Sequence, residues 1–363
     1  MGPSARGGLL SVAVAIVLAL ALPSAGADPL DPRPVTDRHG WQRGPASVHT
    51  AATGEHVVVW TKPRTGWTAY RLYDAAWKPT SRTLAVRAPL EIVAVAPDGF
   101  VGHAVDWNGR RTTLDEWVRI SPTGAGTLLP IRAARHPQRR PVPIRAGDVA
   151  ASWGQLTDPF HFYRPASNRM LYRRAPAWMG TADPWYDHGA GYICSYPDRS
   201  RRGLPVRTST DHGVTWTRTS TDLLPEDSGR FVHYCLASSG GTVVVTGDSE
   251  YLRWVHTLDP ATGDVLSSHR LGTRRGQSLN PYELQVFADG TLVAGTRYRG
   301  VYVATDPTNA TLRFRPADLQ RDTSVVTVVG ADLVATVFDQ RHLRVSSDRG
   351  VTWATVDPRF ARR

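Results

Sequence analysis

Eight residues, Ser209 to Trp216 (Ser-Thr-Asp-His-Gly-Val-Thr-Trp), return as Ser346 to Trp353 (Ser-Ser-Asp-Arg-Gly-Val-Thr-Trp), 137 positions further on. A chain that repeats a turn at such a distance is built from copies of one supersecondary unit, because a single unit cannot bury its apolar face alone. The spacing suits a tight hairpin. Asp211 and Asp348 are placed to accept bonds from turn amides, Gly213 and Gly350 to take a positive φ, and Trp216 and Trp353 to open the returning strand, with Ser209 and Ser346 leading in.

The separation divides into three steps of roughly 46 residues, the length of a four-stranded blade. Weaker copies stand at the intermediate positions: Asp259 to Gly263 after the run Trp254-Val255-His256, and Asp306 to Thr308 after Val301-Tyr302-Val303. Backward steps reach Arg164 to Asn168, Arg119 to Gly124 and Arg71 to Asp74, each a turn signal behind an apolar or aromatic strand. Shorter hairpins such as Pro97-Asp98-Gly99 and Ala288-Asp289-Gly290 fall between them. The unit reads strand, turn, strand, loop, strand, Asp turn, strand.

The pattern Ser-x-Asp-x-Gly-x-Thr-Trp resembles the Asp-box, or BNR repeat, of sialidases and other secreted β-propellers. The resemblance implies an all-β chain, a single β-propeller of four-stranded blades. Units of roughly 45 residues fill positions 45–357 with seven blades, and six or eight would also fit. It also puts the Asp turns on the rim opposite the functional face, which makes Asp211, Asp348 and their tryptophans structural.

Positions 1–27 carry the signature of a secretory signal peptide: Arg6, an apolar stretch from Leu9 to Leu22, and Ala25-Gly26-Ala27 before the cleavage point. The apolar stretch is short for a spanning helix. Secretion to the extracellular side as a monomer is the expectation, with no stable membrane insertion. Residues 28–44 form an N-terminal extension that either adds a strand to the last blade or lies loose, and 358–363 form a C-terminal tail. In an exported chain the two cysteines, Cys194 and Cys235, are expected to pair, with two buried thiols as the alternative.

The net charge is +11, yet only Lys62 and Lys78 of the 43 basic residues are lysines. An arginine excess spread over every unit matches codon bias better than a basic stripe, so nucleic acid is not an expected partner.

Functional residues are expected on the loops opposite the Asp turns. Trp178, Asp183, Trp185, Tyr186, Asp187 and His188 crowd one long loop from Tyr172 to Gly191, an aromatic and acidic mixture suited to sugar rings, or a cluster that pins the loop. Arg297 and Arg341 lie on neighbouring loops and could hold an anion. Around the central channel the catalytic candidates are Glu91, Asp148, Tyr282 and Glu283. Sialidases use a tyrosine nucleophile activated by a glutamate, but consecutive strand residues point to opposite faces, which argues against Tyr282 and Glu283 as a pair. That family's Phe/Tyr-Arg-Ile-Pro element is also missing from the first blade. His161, Asp183, Asp187 and His188 lack the tight spacing of a metal site, and neither metal nor cofactor is expected. The expected function is binding of an extracellular or cell-wall glycan, or of a protein, without catalysis. The alternative is a divergent sialidase-like exo-glycoside hydrolase.

Overall fold

The structure is a computed structural model. It describes residues 28–107, 112–133, 143–151, 160–173, 185–186, 193–195, 207–211, 214–218, 233–237, 243–247, 254–259, 261–270, 279–287, 289, 291–296, 300–305, 313–316, 323–329, 332–337 and 341–360. The leader therefore lies outside the described residues. Among the described residues no helix is long and apolar enough to cross a membrane.

The strands form small sheets in chain order. From its inner edge, the first sheet runs Ser47–Thr50, His56–Lys62, Trp67–Tyr73 and Leu84–Val86. The second runs Leu90–Ala96, Gly99–Trp107, Thr112–Ile120 and Leu128–Pro130. In the third, Val149–Ala150, Phe160–Arg164 and Arg169–Arg173 are joined by Arg132–Ala133, which pairs parallel to Arg169–Arg173. The fourth begins at Trp185–Tyr186, the fifth at His233–Ala237 and the sixth at Leu279–Val286. The last comprises Thr323–Val329, Asp332–Val337, Leu343–Ser346 and Ala354–Val356.

Inner strands touch in succession. Ser47–Thr50 meets Leu90–Ala96, which meets Val149–Ala150; Trp185–Tyr186 meets His233–Ala237, then come Leu279–Val286 and Thr323–Val329, which returns to Ser47–Thr50. With the last inner strand back against the first, the succession is that of a β-propeller. A sheet that packs between two others is buried on both faces, and a period of two sorts its side chains. In His56–Lys62, Val57 and Val59 pack with Leu90, Ile92, Phe100 and Val118 of the second sheet. The alternate residues Val58 and Trp60 pack with Val334, Leu343 and Val345 of the last.

The two repeated turns fold alike. Asp348 accepts the Thr352 amide at 2.8 and 2.9 Å and the Thr352 hydroxyl at 2.6 Å, while Ser346 donates to it at 2.8 Å. Asp211 does the same with the Thr215 amide at 2.8 and 3.0 Å, the Thr215 hydroxyl at 2.7 Å and Ser209 at 2.9 Å. Each turn links the third strand of its sheet to the fourth. Gly350 has a φ of +83°, and a Cβ there would lie 2.3 Å from Val301 Cγ2, so a side chain would strain the backbone and displace Val301. Trp353 packs beside Val301 and Leu333 between the sixth and last sheets. Asp259 and Asp74 stand at the equivalent links and accept turn amides too, Asp259 from Ala261 and Asp74 from Ala76 and Lys78. Gly213 and Asp306 fall outside the described residues.

Two expectations change. The segment from residue 28 adds Arg33–Pro34 to the outer edge of the first sheet, paired with Leu84–Val86, and not to the last. Trp185 and Tyr186 form a short inner strand paired with Cys194 and Ile193 where a loop was expected, in keeping with the preference of aromatic residues for a pleated, half-buried surface. Cys194 is on the second strand of the fourth sheet and Cys235 on the inner strand of the fifth. Their sulfur atoms lie outside the description.

Candidate functional site

In an antiparallel meander successive connections alternate between the two ends. The links from second to third strand therefore open on the face opposite the Asp turns. On that face, at the seam between the first and last sheets, lies an open cleft of about 750 Å³. It is made by two stretches far apart in sequence, residues 37–43 and the connection that carries Arg341.

The first stretch is fixed by local chemistry. Asp37 accepts the His39 amide at 2.9 Å, and the Trp41 amide donates to the Arg38 carbonyl at 3.1 Å, closing a tight turn. Gly40 takes a φ of +79° with the Lys62 side chain close above it. The Gln42 amide then donates to the Thr61 carbonyl at 3.0 Å and ties the stretch to the first sheet. Trp41 lies half-buried, its ring 5.5 Å from that of Phe360.

Arg38, Arg43 and Arg341 all line the cleft. Arg38 lies 5.7 Å over the Phe360 ring, and its Nε is buried with no hydrogen-bond partner among the described residues. Burial, and the positive charges of Arg341 and Arg43, push its pKa down, while Asp357 opposes that shift. Among the described residues none of the three is in an ion pair. By contrast, Arg119 pairs with Asp98, Arg164 with Asp148 and Arg349 with Asp289.

A second group of titratable side chains lies between the second and third sheets. Glu91, His103 and Trp117 are paired across three strands and so share a face, and His103 stacks on Trp117 at 3.9 Å. His103 Nε2 bonds Asp115 at 2.8 Å. His161 stands 5.0 Å from Trp117 and 4.8 Å from Tyr172. Burial first, then the charge of His103, holds the pKa of His161 down to about 4, although Asp115 pulls the other way.

His56, stacked on Trp77 at 3.9 Å, is likewise depressed by burial to about 4. A histidine that titrates at 6.5 when unfolded and near 4 when folded contributes stability that is fully present above 6.5 and is lost as pH falls toward 4. The melting midpoint should thus be flat above pH 7 and fall between about 6.5 and 4, with His161 contributing on the order of 3 kcal/mol. His161→Phe should flatten the fall in a melting series across pH. A decline that starts only below pH 4 would contradict this.

Of the residues singled out from sequence, Arg341 lines the seam cleft. Glu91 is exposed on an inner strand. Asp148 is bound to Arg164 through both carboxylate oxygens. Tyr282 and Glu283 occupy an irregular stretch of an inner strand, where the pairing shifts between Leu279 and Leu284. Trp178, Asp183, Asp187, His188 and Arg297 lie outside the described residues. Among the described residues no three histidines, cysteines or carboxylates gather as a metal site would need. Sequence reading missed Arg38, Arg43, His103 and Asp115. Their one local trace is the gathering of Arg38, Trp41 and Arg43 in the N-terminal extension.

No family model matches the chain, and no curated protein does. Solved structures do. A puromycin hydrolase is similar at 15% identity over 87% of this chain and 55% of its own, with a TM-score of 0.52. A puromycin-hydrolyzing peptidase of Mycobacterium tuberculosis is similar at 11% identity over 86% of this chain and 52% of its own, TM-score 0.50. Kluyveromyces lactis Hsv2, with one loop replaced by a Gly-Ser linker, matches at 9% identity over 86% of this chain and 98% of its own, TM-score 0.52.

The likeness is one of fold alone. This chain spans about half the length of the two hydrolases. The resemblance to sialidases and BNR-repeat proteins is thereby overturned, and with it both functions drawn from it, glycan or protein binding through the loop face and a sialidase-like glycoside hydrolase. The physical reason is visible in the turns. An Asp that caps its own hairpin amides is a local solution to a third-to-fourth strand link, so the motif reports the turn and not the ancestry.

Proposed function

We propose that this chain is a seven-bladed propeller scaffold that seats a short peptide-like ligand in the cleft between its first and last sheets. One observation carries the reading: a cleft of about 750 Å³, on the face opposite the Asp turns, lined by the Trp41 indole and by three guanidinium groups that are in no ion pair among the described residues. A volume between roughly 300 and 1,000 Å³ suits a small ligand. Seven sheets among the described residues support the blade count, six of them four-stranded and the first widened by Arg33–Pro34. Peptide enters through the likeness to a puromycin-hydrolyzing peptidase, about half of whose length this chain spans. The leader from Arg6 to Ala27 supports export.

The hydrogen bond from His103 to Asp115 favours a second reading, peptide hydrolysis with His103 as general base. Against it, the His103 side chain is only 8% exposed and lies flat on Trp117, which leaves little access for a substrate.

The test is titration of the purified protein with a pool of mixed tripeptides, read by ligand-observed NMR, alongside hydrolysis of aminoacyl arylamides. Binding without turnover is the expected result. Turnover abolished by His103→Ala would establish the second reading, and no binding by any peptide would end the first.

A further inference from the structure

We infer that the seam cleft recognises a carboxylate, and that the group it holds is the C-terminal carboxylate of a short peptide, clamped by Arg38, Arg43 and Arg341. This inference rests on the peptide reading above and names the chemistry of the same site.

Three guanidinium groups brought into one cleft repel each other, and among the described residues none of the three is in an ion pair, so an anion that binds there relieves the repulsion. Arg43 and Arg341 are exposed to the cleft. Arg38 is braced on the Phe360 ring, and its buried Nε has no partner among the described residues. Guanidinium forks suit a planar carboxylate, which can accept two parallel N–H bonds from each.

The nearby charges have been placed elsewhere. The Asp37 carboxylate accepts the His39 amide, which holds it within its own turn. Lys62 lies over two indoles, 5.7 Å from Trp41 and 5.3 Å from Trp67. Asp357 moderates Arg38 without forming an ion pair with it. Among the described residues that line the cleft, Arg38, Arg43 and Arg341 face one carboxylate, Asp37. Trp41 supplies the apolar wall against which the last side chain of a peptide would lie.

The seam location matters as well. Arg38 and Arg43 belong to the N-terminal stretch and Arg341 to the last sheet, so the clamp exists only when the ring is closed. A bound anion would bridge the two ends and stabilise closure, since whatever binds the folded state alone raises its stability by mass action.

The experiment uses the same tripeptide pool in two forms, with a free C-terminal carboxylate and with a C-terminal amide, against the full chain and against Arg341→Ala and Arg341→Lys. The free acids should bind roughly tenfold or more tightly than the amides, since a bond to a charged group outweighs a neutral one. Arg341→Ala should remove that preference, with Arg341→Lys keeping part of it because the charge remains and the fork does not. The melting midpoint of Arg341→Ala without ligand should match that of the parent, as the residue is exposed.

Acids and amides binding alike would overturn the clamp and leave the peptide reading standing. Failure of both forms to bind would remove both. Inorganic phosphate serves as a third arm. Displacement of the free acids by phosphate supports a shared oxyanion clamp, whereas phosphate binding with no peptide bound would overturn the carboxylate assignment.

Discussion

Replacing Phe360 with alanine should destabilise the protein by about 3–5 kcal/mol, the usual cost of emptying a buried aromatic site. Phe360 is 2% exposed although it stands near the end of the chain. Its ring meets Trp60 edge-on at 5.3 Å and Trp41 at 5.5 Å, in a cluster that also takes in Tyr73 of the first sheet and Leu343 and Val345 of the last. The backbone before it is bonded as well, because the Arg359 carbonyl accepts from Arg71 and, at 3.3 Å, from the Tyr73 hydroxyl. At roughly 2 °C per kcal/mol for a chain of this size, the melting midpoint should fall by about 6–10 °C. Phe360→Leu should recover most of the loss, since it restores much of the volume. A loss below about 1 kcal/mol for Phe360→Ala would mean that the ring is held shut elsewhere, well under the range for such a site.

That seam marks the limit of what was legible in the sequence. The Asp turns were readable because their whole chemistry is contained in eight consecutive residues. Asp211 and Asp348 cap the amides expected of them, and the weaker signals at Asp74 and Asp259 mark real turns at equivalent links. The repeat spacing then implied an all-β propeller, and the inner strands follow one another as in one, the last returning to the first.

The seam has no such local record. Trp41 and Phe360 touch across almost the whole chain, and Arg38 meets Arg341 only because the first and last sheets are neighbours. Nothing in residues 28–44 read alone says that Arg33–Pro34 will find the edge strand Leu84–Val86. The family inference failed for the converse reason. A motif whose every atom serves a turn constrains the turn, and many unrelated propellers need one.

The exchange of Asp148 for alanine should cost about 2–3 kcal/mol, because it takes the acceptor from a half-buried guanidinium and from a backbone amide together. The side chains of Asp148 and Arg164 are 3% and 15% exposed. Arg164 donates through Nε at 2.8 Å and Nη2 at 2.6 Å, and the same carboxylate accepts the Arg145 amide at 2.8 Å. Arg164 also donates to the Pro143 carbonyl at 2.8 Å, so the pair anchors the stretch that leads into Val149–Ala150. Removing the carboxylate leaves a charge and a backbone amide unsatisfied together. Replacing both partners with apolar residues, Asp148→Leu with Arg164→Met, should recover much of the loss, since a buried ion pair offsets its own desolvation only in part. A double-mutant cycle on chemical denaturation measures the coupling directly. The same cycle separates a frame residue from a catalytic one. If Asp148 acts only in the frame, Asp148→Asn lowers stability and leaves ligand affinity in the seam cleft unchanged. If it were a catalytic carboxylate, the variant would instead abolish turnover while the denaturation midpoint stayed near that of the parent.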